Sequence, residues 1–265
     1  MEVLVNAAGG APVPEELRHV ADLVQEWGAP RGWRVARDVP KQVLKQFPGQ
    51  PFHEFRRKQV PVLAAGAVDG APAVVLQVDF TIKYQSSGGS TSSSAGGMRS
   101  TGKTKKKTHP RTAIVVELPA PVPEVVLMQA RDVLDDVLHL FKLNRTFQMF
   151  RGPSKGTGSE RLDALYRVEG ESEEHIRSVI NPDRVQWLYN KNAGPYPGVR
   201  LEQTCFRLTG RTLVLWVNRP VFDPAVLDGL VATVQEVRRW IPNNVFQSTD
   251  TGSGFRVSSL QLPVS

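Results

Sequence analysis

A single cysteine, Cys205, is all the thiol this chain has, and that scarcity excludes two chemistries at once. An intrachain disulfide and a multi-cysteine zinc knuckle each need several thiols from one polypeptide. Long apolar runs are equally scarce: no stretch reaches the roughly 18 residues a membrane-crossing helix needs, so no transmembrane segment is predicted. The opening residues MEVLVNAAGGAPVPEEL lack a basic stretch ahead of a long apolar core, so no export signal is expected. The lone thiol suits a reducing compartment, and the expected location is cytoplasmic. Regular alternation of strand and helix is missing too, which speaks against a doubly wound nucleotide fold.

What is present is a globular balance. With 40% hydrophobic and 22% charged residues over 265 positions, the chain can bury a sizeable core. The net charge of +7 arises from 33 Lys and Arg against 26 Asp and Glu, and Lys103, Lys105, Lys106 and Lys107 concentrate much of the excess in one place. A local cluster of this kind attracts phosphates, acidic partners or anionic lipid, or simply keeps a loop in water.

Apolar spacing places a helix after Pro14 through Leu17, Val20, Ala21, Val24 and Trp27, closing at Gly28. VPVLAAGAV and AVVLQVDFTIKY flank Asp69-Gly70, a pair suited to positive φ, and predict a hairpin. In the second strand Val74, Leu76, Val78, Phe80, Ile82 and Tyr84 are expected on a core face, with Gln77, Asp79, Thr81 and Lys83 on a wet one. A polar tract follows and RTAIVVELP resumes as strand. A helix is predicted over residues 124–142, through Val126, Ala130, Val133, Val137 and Phe141. NRTFQMF and ALYRVEG read as strands, Ser172 as a helix cap, and VRLEQTCFRL with RTLVLWV as a hairpin turning at Thr209-Gly210. Asp223-Pro224 opens a last helix that Pro242 stops. The expectation is an α+β fold: a mainly antiparallel sheet with helices on one face, in a single domain over residues 1–246. Residues 85–110 form a flexible basic insertion in it, and residues 247–265 a C-terminal tail.

Gly97 to Thr104 reads GMRSTGKT and matches G-x-x-x-x-G-K-[ST], the phosphate loop of nucleotide hydrolases. That loop works when a strand delivers a tight glycine turn directly onto a helix, so that amides converge on phosphate oxygens. Here SSGGSTSSSAG precedes the motif and KKKTHPR follows it, a linker and then a basic run with proline, so neither flank suits. The nucleotide reading would use Gly97, Gly102, Lys103 and Thr104. Ser100 and Lys103 have the spacing of a serine nucleophile and its lysine, but a solvated tip does not exclude water.

The favoured site is the basic tract itself, with Lys103, Lys105, Lys106, Lys107 and Arg111 as point charges on phosphate or carboxylate groups. No aromatic residue interleaves these lysines, so nucleic acid is not the favoured partner. Asp132, Asp135, Asp136 and His139 lie opposite the apolar stripe of their predicted helix and read as a solvated acidic face. Cys205 reads as a buried strand residue, and the five tryptophans as core.

From Asn144 onward, NRTF, DALYRVEGESEEHIRSVINPDRVQWL, VRLEQTCFRLTGRTLVLWV, DPAVLDGLV and IPNNVF resemble a group of uncharacterised soluble bacterial proteins common in actinobacteria. GWRV, the Asp69-Gly70 hairpin and ELPAPVP extend the resemblance over most of the chain. It implies a fold and a compartment and carries no catalytic residue. The sequence expectation is therefore an intracellular, non-enzymatic binding protein without a cofactor or metal, engaging a protein partner or polyanion; a nucleotide-hydrolysing enzyme is the alternative.

Overall fold

A computed structural model describes residues 15–47, 49, 51–52, 58–85, 104–129, 158–189, 204–218, 220, 224–247 and 256–260. Six strands form one sheet, antiparallel at every described pairing: β1 (Arg34–Val39), β2 (Lys58–Val68), β3 (Ala71–Gln85), β4 (Thr104–Gln129), β5 (Tyr166–Gly170) and β6 (Thr204–Val217). The helices are α1 (Glu15–Gly28), α2 (Glu173–Val179), α3 (Pro182–Tyr189) and α4 (Pro224–Trp240), with a single helical turn at Glu160–Asp163. The fold is thus α+β. Among the described residues no helix is long and apolar enough to cross a membrane.

β4 is the spine. β3 lines one of its edges up to Val116 and β5 continues the same edge from Val125, while β6 runs along the other edge from Thr112 to Leu127. Two expectations fail on this strand. Residues 124–129, assigned to a helix by their spacing, belong to β4, where Val125 and Leu127 are buried on one face and Val126 on the other. A short apolar run covered on both faces has no diagnostic period, so its alternation mimicked a helix start. Residues 130–150, with the rest of that helix and NRTFQMF, lie outside the described residues.

The hairpin expected at Thr209-Gly210 is likewise one continuous strand, since Phe206 pairs with Leu127 and Val214 with Val115 of the same partner. Gly210 has φ of 50° without reversing the chain. It sits at a bulge, where β4 advances from Glu117 to Val122 while β6 moves only from Thr212 to Gly210. Pro119 and Pro121 lie in the excess and have no N–H to give to a ladder. Arg211 closes the gap by donating from Nη1 to the Pro119 carbonyl at 2.6 Å.

The Asp69-Gly70 turn does form, with φ of 48° and 75°, the two left-handed residues that a primed hairpin turn requires. It docks on α4: Gln235 donates to Asp69 Oδ1 at 2.7 Å, and Arg238 to the Val68 carbonyl at 3.2 Å.

Helices cover one face of the sheet. Val20, Val24 and Trp27 of α1, Ile176 and Val179 of α2, Val185 and Leu188 of α3, and Leu227, Leu230 and Val234 of α4 bury against Val62, Val75, Ile114 and Leu215. Each such side chain contributes about 1.5–3 kcal/mol relative to exposure. Trp27 ties the outer layer together by donating to Asp228 Oδ1 at 2.7 Å, from α1 to α4. Arg184 does the same for the ends of α2 and α4, donating to the carbonyls of Ser178, Val179 and Trp240 at 2.6, 2.8 and 3.2 Å. Ser172 accepts from the His175 amide and caps α2.

The opposite face is also a core, which the sequence reading missed. Leu63, Leu76, Val78, Phe80, Val115 and Trp216 bury there beneath Val43 and Leu44 of a short 3-10 helix (Lys41–Gln46), Phe47, Phe52 and Val257. Within the segment read as a tail, residues 256–260 therefore lie against the sheet, and Ser258 donates its amide to Glu117 Oε2 at 2.8 Å. Of the five tryptophans, Trp27, Trp33, Trp216 and Trp240 are buried and Trp187 packs against the helix-side core.

Candidate functional site

Past Phe80, the described residues of β3 and β4 pair only with each other. β2 follows β3 only to the Lys58–Phe80 pair and β6 follows β4 only to Thr112, so residues 81–85 and 104–108 pair with each other alone among the described strands. This ribbon holds the basic tract. The register sets Lys105 opposite Tyr84, Lys106 opposite Lys83 and Lys107 opposite Ile82.

The strand therefore resumes at Thr104 rather than at Arg111, which puts Lys105, Lys106 and Lys107 on regular structure instead of in the loop expected for them. Arg111, further along β4, is buried beside the second core. It is 2% exposed, and its guanidinium sits 5.2 Å from the centre of the Phe80 ring. It is a sheet residue stacked on an aromatic neighbour rather than a solvent-facing anion ligand. Thr104 opens β4 opposite Gln85, and the element it starts is a strand, whereas a phosphate loop needs a helix there. Gly97, Ser100, Gly102 and Lys103 lie outside the described residues, as do Asp132, Asp135, Asp136 and His139.

Three further polar clusters are buried or half-buried. Gln77 and Asp79, expected on a wet face, are buried, and Gln77 donates to Asp79 Oδ1 at 2.9 Å. Burial pushes the Asp79 carboxyl above its ordinary value, and the Gln77 bond opposes that rise. Arg207 of β6 pairs with Glu124 of β4 at 2.5 Å, and its guanidinium occupies the space where a Cβ on Gly49 would lie. Glu169 of β5 stands beside this pair. Burial raises its pKa, with Arg167 lowering it and Glu124 raising it further. His175 is buried, and burial lowers its pKa against the pull of Glu171.

Cys205 is buried in β6 as a small apolar residue. Among the described residues no three His, Cys, Asp or Glu converge as metal ligands. A shallow pocket of about 220 Å³ lies between the strand ends and the C-terminal segment, bordered by Arg34, Gly66, Val74, Val257 and Ser258.

Sequence reasoning missed the lysine and aromatic neighbours across the ribbon, because lysines that lack an aromatic along the chain gain Tyr84 only through register. The alternating prolines of ELPAPVP were the one local sign of the bulge.

No protein-family model matches the chain, and no curated protein matches it. Among solved structures, the crystal structure of the mycobacterial trehalose monomycolate transport factor A, TtfA, is similar over 85% of this chain and 97% of that one, with a TM-score of 0.48 and 12% identity.

Proposed function

We propose that this chain is a non-enzymatic, cytoplasmic binding protein that offers its β3–β4 ribbon to an acidic partner. One observation supports the reading: the register gathers Lys83, Lys105, Lys106 and Lys107 on the part of the β3–β4 pair that meets no other strand among the described residues. Charges held on a paired backbone lose less conformational freedom on binding than charges on an unstructured loop, so the same lysines bind more tightly. The lone buried thiol fits a reducing compartment.

Retention on a heparin column tests this with a defined polyanion. The intact protein is expected to elute at a distinctly higher salt concentration than the Lys105→Ser, Lys106→Ser, Lys107→Ser triple variant, because each neutralised anion site adds to the salt dependence. Identical elution of the two proteins, both shown folded by circular dichroism, removes the role of the ribbon.

A further inference from the structure

At the other end of β3, away from the ribbon, the register sets Arg34 of β1, Ala65 of β2 and Val74 of β3 in one row across the sheet. Ala65 and Val74 pack on the second core, and strand alternation puts Arg34 on that same face beside Ala36. Ala65 is the shortest side chain of the row and leaves a dip between its neighbours. Next to it Gly66, whose Cβ would run into the Trp33 ring on the opposite face, shows the dip only backbone. The 3-10 turn Val257–Ser259 walls off the far side with Val257 and Leu260, and the Ser258 amide fixes it to Glu117. The result is the pocket of about 220 Å³. A cavity of roughly 150 Å³ accepts a benzene molecule, so a single ring fits here with room for one polar group.

Charge says what that group is. Arg31 and Arg37, one turn of chain to either side, pair with Asp228 and Asp22, whereas Arg34 makes no hydrogen bond or ion pair among the described residues. The Ser258 hydroxyl is likewise without a partner there, its amide alone being used. Glu117 accepts that amide and does not border the pocket. A forked cation and a hydroxyl therefore stand uncommitted at the rim of an apolar recess, the arrangement of a small-ligand site. We propose that this pocket binds a small free carboxylate with a compact apolar body. Its carboxylate takes the guanidinium of Arg34 and the hydroxyl of Ser258, and its body rests on Ala65, Val74, Val257 and Leu260. Arg34 repels a cation of the same shape, and a neutral alcohol gains only the apolar floor. The site asks nothing of the basic ribbon and stands whether or not the ribbon binds.

The test titrates the ¹⁵N-labelled full chain with benzoate at pH 7 and follows the amide signals of Gly66 and Ser258. Benzoate is expected to shift both saturably, with a Kd on the order of 1 mM for so small a ligand. Benzyl alcohol, which keeps the ring without the charge, is expected to bind about fivefold more weakly, and benzylamine to give no saturable shift. Arg34→Gln is expected to weaken benzoate about fivefold and leave benzyl alcohol unchanged, a split that a merely structural role for Arg34 does not produce. Ala65→Leu fills the recess and is expected to abolish binding of both, with the signals of α4 unmoved as the sign of an intact fold. Equal affinity for benzoate and benzyl alcohol, benzoate binding untouched by Arg34→Gln or by Ala65→Leu, or no saturation up to about 20 mM overturns the proposal. Heparin elution separates this site from the ribbon: Arg34→Gln is expected to leave it where it is. A drop as large as that of the ribbon variant would make Arg34 one point on a diffuse basic surface and overturn the pocket instead.

Discussion

The Gln77 carboxamide donates a 2.9 Å hydrogen bond to the Asp79 carboxylate, and both side chains are shut inside the protein two residues apart on one face of β3. Burial raises the Asp79 pKa above 3.8, its ordinary value, so folding favours the protonated acid. Its stabilising contribution is complete below that ordinary value and is lost as pH rises through the folded-state value. Asp79→Asn keeps an acceptor for Gln77 and removes the charge. Thermal unfolding across pH is expected to show the variant more stable than the parent at pH 7, with the difference closing near pH 3; a constant difference at all pH values contradicts the assignment.

Gly66 leaves room for the Trp33 ring: a Cβ there would lie 2.4 Å from a ring carbon, and Trp33 is in turn packed on Trp27 at 5.2 Å between centroids. Gly66→Ala is expected to cost about 1–3 kcal/mol by overpacking. In a Trp33→Leu background most of that cost should vanish, because the obstructing ring is gone. Additive losses in urea unfolding would show that the ring is not the cause.

The turn that joins β2 to β3 is fastened to α4 through Asp69 and Gln235, 2.7 Å apart. Gly70→Ala places a Cβ at φ of 75° and is expected to lose about 1 kcal/mol. A double-mutant cycle on Asp69→Ala and Gln235→Ala should give a coupling of about 0.5 kcal/mol, the scale of an exposed hydrogen bond. A coupling of zero means the turn rests on α4 through Arg238 alone.

Arg184 holds the ends of α2 and α4 through three carbonyls. Arg184→Met retains the aliphatic stem but leaves those acceptors without the guanidinium, at an expected loss of about 2 kcal/mol. Arg184→Lys restores charge without the planar fork and is expected to recover less than half of it. Full recovery by lysine would mean that charge alone is what the site needs.

Local signals were enough for α1, the Asp69-Gly70 hairpin, the Ser172 cap and α4, because each is specified by residues close in sequence: an apolar stripe, a positive-φ pair, a capping hydroxyl, an opening proline. The failures all depend on what lies across the sheet. Gln77 and Asp79 read as wet because alternation reveals that two faces differ, without saying that both are covered. Gly210 read as a turn because a left-handed glycine serves a bulge as readily as a reversal, and only pairing with β4 decides between them. Val125 to Leu127 read as helix because a doubly buried strand loses its period. For the candidate site, the charge cluster was plain, yet its pairing with Ile82, Lys83 and Tyr84 and the burial of Arg111 come from register, which composition does not contain.

The long spine strand also sets the order in which the protein can be completed on the ribosome. Synthesis of β4 is complete at residue 129, but the partner for its far edge is not finished until Val217. For roughly the time needed to add some ninety residues, several seconds at cellular elongation rates, the nascent chain carries an apolar ladder with one bare side. Nascent chains arrested before residue 204 are therefore expected to recruit chaperones far more strongly than chains released past Trp240, and equal recruitment at both lengths would show that something else shields β4 during synthesis.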